Sequence, residues 1–371
     1  MSFGARALIR LGALKHNLDV IRSLAPGSRV MAVVKANAYG HGMVAVARHL
    51  TDVDAFAVVR IHEAICLREN GITVPIVLLS GALDSEELRA AMQWQLELVV
   101  HCSEQIELLD SISGAALPVW LKFDTGMNRL GFSPRDATDL LQRLHSMAGV
   151  SEVRLMTHLS SADELENSST DEQLQCFRSI AEKFDGAVSI ANSPGILGWP
   201  SVAVPQPGFA GESWIRPGIA LFGISPFADR TGLDLGLQPV MQFEARLIAV
   251  KPLPKGARVG YGGTYENATS TTLGIISAGY GDGYTRQFRD GTPVLINGRR
   301  VPLVGKVSMD MMAVDLGPSG TDAVGDIATL WGDGLAVEEV ATWANAIPYE
   351  LVCGVMNREA REVVDSLRDK E

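Results

Sequence analysis

The chain has 371 residues and a formal net charge of −11, too long for one small core and of the wrong sign for a nucleic-acid binder. Hydrophobic residues make up 47% and charged residues 20%, ordinary for a folded soluble protein, and no run of about eighteen apolar residues marks a membrane span. The opening "MSFGARALIRLGALKHNLDVI" is amphipathic and lacks the apolar core and cleavage site of a signal peptide, so a cytoplasmic protein is expected. Cys66, Cys102, Cys176 and Cys353 are scattered without CxxC spacing, and "RIHEAICLRE" has no second histidine four residues after His62. Neither a disulfide framework nor a metal site is expected.

Over the first ~230 residues, short β-branched or apolar runs alternate with amphipathic stretches, as in repeated βα units. The predicted strands are 30–34, 55–59, 75–79, 96–101, 117–122, 153–158, 187–192 and 213–216. Helices such as "SEQIELLDSI", with Ser103 as its expected cap, and "STDEQLQCFRSIAEKF" lie between them. This pattern fits a (β/α)8 barrel better than an open sheet, whose first βα turn would carry a GxGxxG loop. From about residue 231 the texture changes to short strands broken by glycine and proline turns: "MQFEARLIAV", "TLGIISAGY", "TPVLINGRRVPLVGKV" and "MDMMAVDLG". "NGRR" reads as a hairpin, and "VEEVATWANA" as a helix. Two domains are expected, a barrel over 1–230 and a mainly antiparallel β domain over 231–371.

Lys35, Ser80, His101, Lys122, His158, Asn192 and Arg216 all fall at or just past the C-terminal end of a predicted strand. In a barrel that rim carries the active site. Ser80 and His101 read more simply as structural caps. Lys35 is the most pointed of the set, because in "AVVKANAYGHG" a run that reads as buried ends on a lone cation. Such a lysine either snorkels to water or is paired, and burial among Lys122, Arg129 and Arg216 would lower its pKa toward nucleophilic reactivity. Residue spacing alone leaves open whether it attacks a carbonyl substrate directly or holds a carbonyl cofactor.

Motifs along nearly the whole chain resemble those of the alanine racemase family. "VVKANAYGHG" is similar to that family's cofactor-lysine motif, and "KFDTGMNRLGF", "THLSSAD", "ANSPGIL", "IRPGIALFG", "VGYGGTY", "GYGDGYTR", "VGKVSMDMMAVDL" and "PYELVC" follow in the family's order. The resemblance implies pyridoxal 5′-phosphate (PLP) bound covalently to Lys35, with Lys35 also one of two catalytic bases. It implies Tyr39, Ser193, Gly218, Ile219 and Tyr349 at the phosphate, and Arg216 at the pyridine nitrogen with Asn192 nearby. Tyr261 is implied as the second base, linked through His158 to Arg216. Arg129 and the Met309 backbone N–H are implied at the substrate carboxylate, with Tyr280 and Tyr349 narrowing the mouth. Lys122 aligns with a lysine that can be carbamylated in the family, where it would pair with Arg129. The family forms head-to-tail homodimers in which Tyr261, Tyr280 and Met309 reach the other subunit's barrel. The implied activity is interconversion of L- and D-alanine, for peptidoglycan or for alanine catabolism.

The chain departs from the family in a longer segment over 199–214, in Phe222 where a tyrosine is more usual, and in its tail "NREAREVV". The runner-up is a PLP-dependent amino-acid decarboxylase of the same barrel architecture, but this chain has no glycine triplet and carries Arg216 where such enzymes have a carboxylate. A carrier built from the barrel alone would need no "VGYGGTY", and a cofactor-free aldolase would leave the phosphate-site residues unexplained.

Overall fold

The computed structural model describes residues 4–111, 116–205, 208–318, 321–356, 358 and 360–364. The chain opens with strand β1 (Arg6–Arg10) and a helix, Leu11–Leu24. Eight parallel strands then close a barrel: β2 (Arg29–Val33), β3 (Ala55–Val58), β4 (Ile76–Leu78), β5 (Glu97–Val100), β6 (Leu117–Lys122), β7 (Val150–Met156), β8 (Val188–Asn192) and β9 (Ser213–Arg216). β2 pairs with both β3 and β9, which completes the ring. Strands such as β3 and β5 are buried at every residue, as expected where helices cover the outside and side chains fill the inside.

Each predicted barrel strand therefore exists, its bounds shifted by at most a few residues. Lys35 lies just past β2, as expected, and opens a separate turn. One local expectation is corrected. Ser103 is the first residue of its helix, and the N-cap position belongs to Cys102, which makes no side-chain capping bond.

The second layer is a mainly antiparallel sheet. Its strands are β10 (Met241–Leu253), β13 (Thr271–Ile276), β14 (Pro293–Ile296), β15 (Arg299–Pro302), β16 (Met312–Gly317), β17 (Ile327–Trp331) and β18 (Ala360–Val364), with a small ribbon of β11 (Arg258–Val259) and β12 (Tyr265–Glu266) beside it. The β14–β15 hairpin turns on Asn297 and Gly298, both at positive φ (49° and 73°), the Asn-Gly geometry a twisted two-residue turn requires. β1 also joins this sheet, antiparallel to β10 and parallel to β18. Of the 199–214 segment, Pro200–Ala203 forms a helical turn and Ser213 begins β9, while 206–207 lie outside the described residues. In the tail, Ala360–Val364 is β18. Among the described residues no helix is long and apolar enough to cross a membrane.

Candidate active site

Lys122, Asn192 and Arg216 are the last residues of β6, β8 and β9, and Lys35, Ser80, His101 and His158 stand one or two residues beyond their strands. All seven are thus at the C-terminal rim. Ser80 and His101 stitch neighbouring strands: Ser80 Oγ donates to the Val59 carbonyl at 2.5 Å, and His101 Nε2 lies 3.0 Å from the Ser80 carbonyl. Their capping role needs no chemistry.

Lys35 opens an unusual turn. Ala36, Asn37, Ala38 and Tyr39 follow it with φ of 51–54°, a full left-handed turn without a glycine. Each such residue costs roughly 1–2 kcal/mol, so the surroundings must over-determine it. Glu63 does part of this. Its Oε1 accepts the Ala36 N–H at 2.7 Å while Oε2 accepts those of Val59 and Arg60 at 3.1 Å, tying the end of β2 to the end of β3. The Asn37 side chain accepts the Met43 N–H at 2.8 Å. Gly40 ends the turn at φ +81°, where a Cβ would fall 1.9 Å from the Val352 carbonyl oxygen in the helix Pro348–Cys353. Gly40→Ala is therefore expected to lose about 2–4 kcal/mol, from the left-handed backbone plus forced separation of two backbones. Denaturant unfolding measures it, and a loss under about 0.5 kcal/mol, the range of ordinary surface substitutions, would show this contact to be slack.

The basic groups face one another. Burial and then Arg129 lower the Lys35 pKa, against smaller opposing effects of Cys353 and Glu63. Lys122 is brought to about 8 by burial, Arg216, Arg129 and Lys35, with Asp124 opposing. His158 is held well below its usual value by burial and by the same cations, Arg216 foremost, so its ring is neutral at pH 7. Full burial lowers Arg216 as well. Its guanidinium nevertheless donates to Ser189 Oγ and the Thr157 carbonyl, both at 2.5 Å, and to the Ile190 carbonyl at 3.2 Å. Arg216 Nη2 is 3.4 Å from His158 Nδ1, and Asn192 Nδ2 is 3.4 Å from His158 Nε2. Arg129 sits on the exposed turn after β6, which Asp124 shapes by accepting the N–H groups of Gly126 and Asn128 at 3.0 Å. Cations crowded this closely suit an anionic occupant.

Beside them is a cradle of donors. The Tyr39 hydroxyl hangs so close over Gly218 that a Cβ there would meet it at 2.4 Å. Ser193 Oγ, one residue past β8, receives the N–H groups of Gly218 at 2.9 Å and Ala220 at 3.3 Å, with Ile219 between them. Tyr349 packs on Tyr39 with ring centroids 6.2 Å apart. Burial pushes both phenols far above their ordinary pKa, so both keep a proton to donate. Two phenols, a serine hydroxyl and glycine backbone are a donor set that fits a phosphate.

The remaining predicted residues are not at this rim. Tyr261 is at the tip of the β11–β12 ribbon and 65% exposed, and Tyr280 and Met309 are 39% and 53% exposed. The Arg286 guanidinium lies 5.6 Å from the Tyr261 ring centroid and 5.9 Å from that of Tyr280. The Tyr280 and Met309 loops are joined, Tyr280 N–H donating to the Ser308 carbonyl at 3.0 Å and Gly281 N–H to that of Met309 at 2.8 Å. These three side chains form an apolar and aromatic face turned to solvent.

Sequence reasoning passed over Glu63, His41, Thr157 and Ser189. Glu63 carried a usable signal, an acid three residues after Arg60 where a helix begins. Thr157 and Ser189 carried none, since their contacts join strands distant in the chain, and neither did His41, whose ring stacks on the distant Phe222.

A parallel barrel with a basic rim and a phosphate-like cradle, followed by an antiparallel sheet, is the architecture of a two-domain barrel enzyme. Family models of the alanine racemase N-terminal and C-terminal domains match residues 9–226 and 240–363. The chain is 46% identical to alanine racemase from Vibrio atlanticus (97% of this chain, 99% of the relative) and 48% identical to that from Yersinia pestis (96% and 98%). The crystal structure of biosynthetic alanine racemase from Pseudomonas aeruginosa superposes with a TM-score of 0.92 at 41% identity, covering 98% of this chain and 100% of the other. The chain belongs to the alanine racemase family. These relatives are racemases, not decarboxylases, and the decarboxylase reading is set aside.

Proposed function

We propose that this protein interconverts L- and D-alanine with PLP, by two bases acting on opposite faces of Cα. The observation that carries the reading is the meeting of Lys35, on its left-handed turn, with the cationic rim and the Tyr39–Ser193–Gly218 cradle. Lys35 would hold the cofactor covalently. Tyr39, Ser193, Gly218, Ile219 and Tyr349 would hold its phosphate, and Arg216, with His158 and Asn192 packed beside it, would face its ring nitrogen. When bound, PLP withdraws electrons from the amino acid and so acidifies its α-hydrogen.

The protein's part is to place the substrate and move the proton. Arg129 and the Met309 N–H bind the substrate carboxylate. Lys35 exchanges a proton at Cα on one face and Tyr261 of the partner subunit on the other. Ionising an ordinary tyrosine at pH 7 costs about 4 kcal/mol, and the Arg216–His158 line lowers that cost by favouring phenolate. Lys122, already brought to about 8, is partly neutral at neutral pH and can take up carbon dioxide as a carbamate that pairs with Arg129. Tyr280 and Tyr349 narrow the mouth. The reading requires a head-to-tail homodimer, supported by the solvent-facing Tyr261, Tyr280 and Met309, which stand away from this chain's own rim. A cytoplasmic enzyme supplying D-alanine for peptidoglycan, or serving alanine catabolism, fits this chemistry.

Two measurements test the reading together. Borohydride reduction and peptide mapping should place a pyridoxyl group on Lys35, and optical rotation of L-alanine solutions should decay to zero with the enzyme. A label on Lys122, or no label, overturns the lysine assignment. Faster turnover of another amino acid assayed beside alanine overturns the substrate.

A further inference from the structure

His41 is a fully buried titratable side chain for which the proposed chemistry has no use. Burial lowers its imidazole to about 4, with Arg361 adding to the effect, so the ring is neutral at pH 7. Nδ1 lies 3.0 Å from the Ala38 carbonyl and 2.8 Å from that of Tyr39. Two carbonyls at one ring nitrogen call for an N–H there, which leaves Nε2 as a bare lone pair, and Nε2 is buried without a hydrogen-bond partner. The Ala38 carbonyl also accepts the His41 backbone N–H at 3.0 Å, whereas the Tyr39 carbonyl, last in the left-handed turn, takes its donor from the imidazole. The ring also stacks on Phe222, centroids 4.4 Å apart and planes at 26°, while Tyr39 packs on the same ring at 5.3 Å. Phe222 closes the short turn Ile219–Phe222 that follows Gly218. One imidazole thus touches both walls of the cradle, by a hydrogen-bonding edge on the Tyr39 side and by a face on the Gly218 side.

We propose that His41 is a positioning residue that fixes the Tyr39 hydroxyl over Gly218 and thereby sets how tightly the protein grips the phosphate of its cofactor. The inference rests on the reading of the cradle as the PLP phosphate site. It acts through Tyr39, and it requires a neutral ring with the proton on Nδ1.

The two contacts separate by substitution. His41→Asn keeps an N–H near the position of Nδ1 and gives up the stack, whereas His41→Phe keeps the stack and gives up the donor. The experiment measures dissociation constants of PLP and of pyridoxal, which lacks the phosphate, for the wild type and both variants. His41→Phe should weaken PLP binding about tenfold or more, the scale of stranding a buried acceptor, here the Tyr39 carbonyl, and change pyridoxal binding little. His41→Asn should remain within about threefold of wild type for both ligands, as a retained donor predicts. Equal weakening of PLP and pyridoxal, or unchanged PLP binding in His41→Phe, overturns the proposal. A wild type that binds no PLP overturns the cofactor reading instead. On the wild-type protein, ¹⁵N NMR should show His41 as the Nδ1–H tautomer without titration between about pH 5.5 and 8. The other tautomer, or a titration in that window, overturns the proposal even if His41→Phe does not fold.

Discussion

Tyr261→Phe is expected to reduce racemisation by roughly 10²–10⁴-fold, because a phenyl ring can neither take nor return a proton. The loss should be one-sided. The family resemblance gives Tyr261 the L face and Lys35 the D face, and Lys35 is untouched in this variant. D-alanine should therefore still exchange its α-hydrogen with deuterated water, with retention of configuration, while L-alanine exchanges far more slowly. NMR on each enantiomer separately measures this, and equal loss for both sinks the two-face assignment. Folding of the variant is not at stake, since Tyr261 is 65% exposed at a ribbon tip. If each site draws Tyr261 from the partner subunit, mixing Tyr261→Phe with Lys35→Ala should rebuild one intact site per heterodimer and recover part of the activity. Heterodimers that form without recovery rule out the shared site.

Arg216→Glu should be nearly as damaging for an electrostatic reason. After burial, Arg216 is the largest influence lowering both His158 and Lys122. Replacing it by a carboxylate reverses both effects, so both pKa values should rise and His158 should begin to titrate near neutral pH. Racemisation should fall about 10²–10³-fold, the usual penalty for losing a preorganised polar group at a reacting centre. A carboxyl group beside the ring nitrogen can leave its proton there, which a guanidinium does not, so pyruvate should appear as a side product through transamination. Arg216→Lys is the control: it keeps the charge, gives up the forked bonds to Ser189 and the Thr157 carbonyl, and should form no pyruvate. Near-wild-type rates in Arg216→Glu, with His158 still not titrating, count against this role.

The barrel was legible because each of its strands is locally apolar, and the polar residue closing it is a neighbour in the chain. Lys122, Asn192 and Arg216 end their strands as read. The turn after β2 was not legible. Ala36–Tyr39 contains no glycine, and its left-handed backbone is imposed by Glu63, His41 and the approach of Val352. β1 escaped notice for a related reason. "RALIR" reads as part of an amphipathic start, and what makes it a strand is β10, more than 230 residues later, where Arg6 meets the Glu244 carboxylate at 2.5 Å. Local pattern revealed the elements whose partners are near, and the resemblance revealed roles, but strained backbone and distant pairing left no trace in periodicity.

That pairing has a consequence for how the protein is made. β1 leaves the ribosome ahead of the barrel, its antiparallel partner β10 follows only after the whole barrel, and its parallel partner β18 only at Ala360–Val364. A nascent chain can close β2–β9 while β1 still trails with both edges unpaired, a ready template for another nascent chain on the same message. β1 is only five residues long and has arginine at each end, a form that limits such pairing during the wait. Its sheet cannot be completed until β18 has been made.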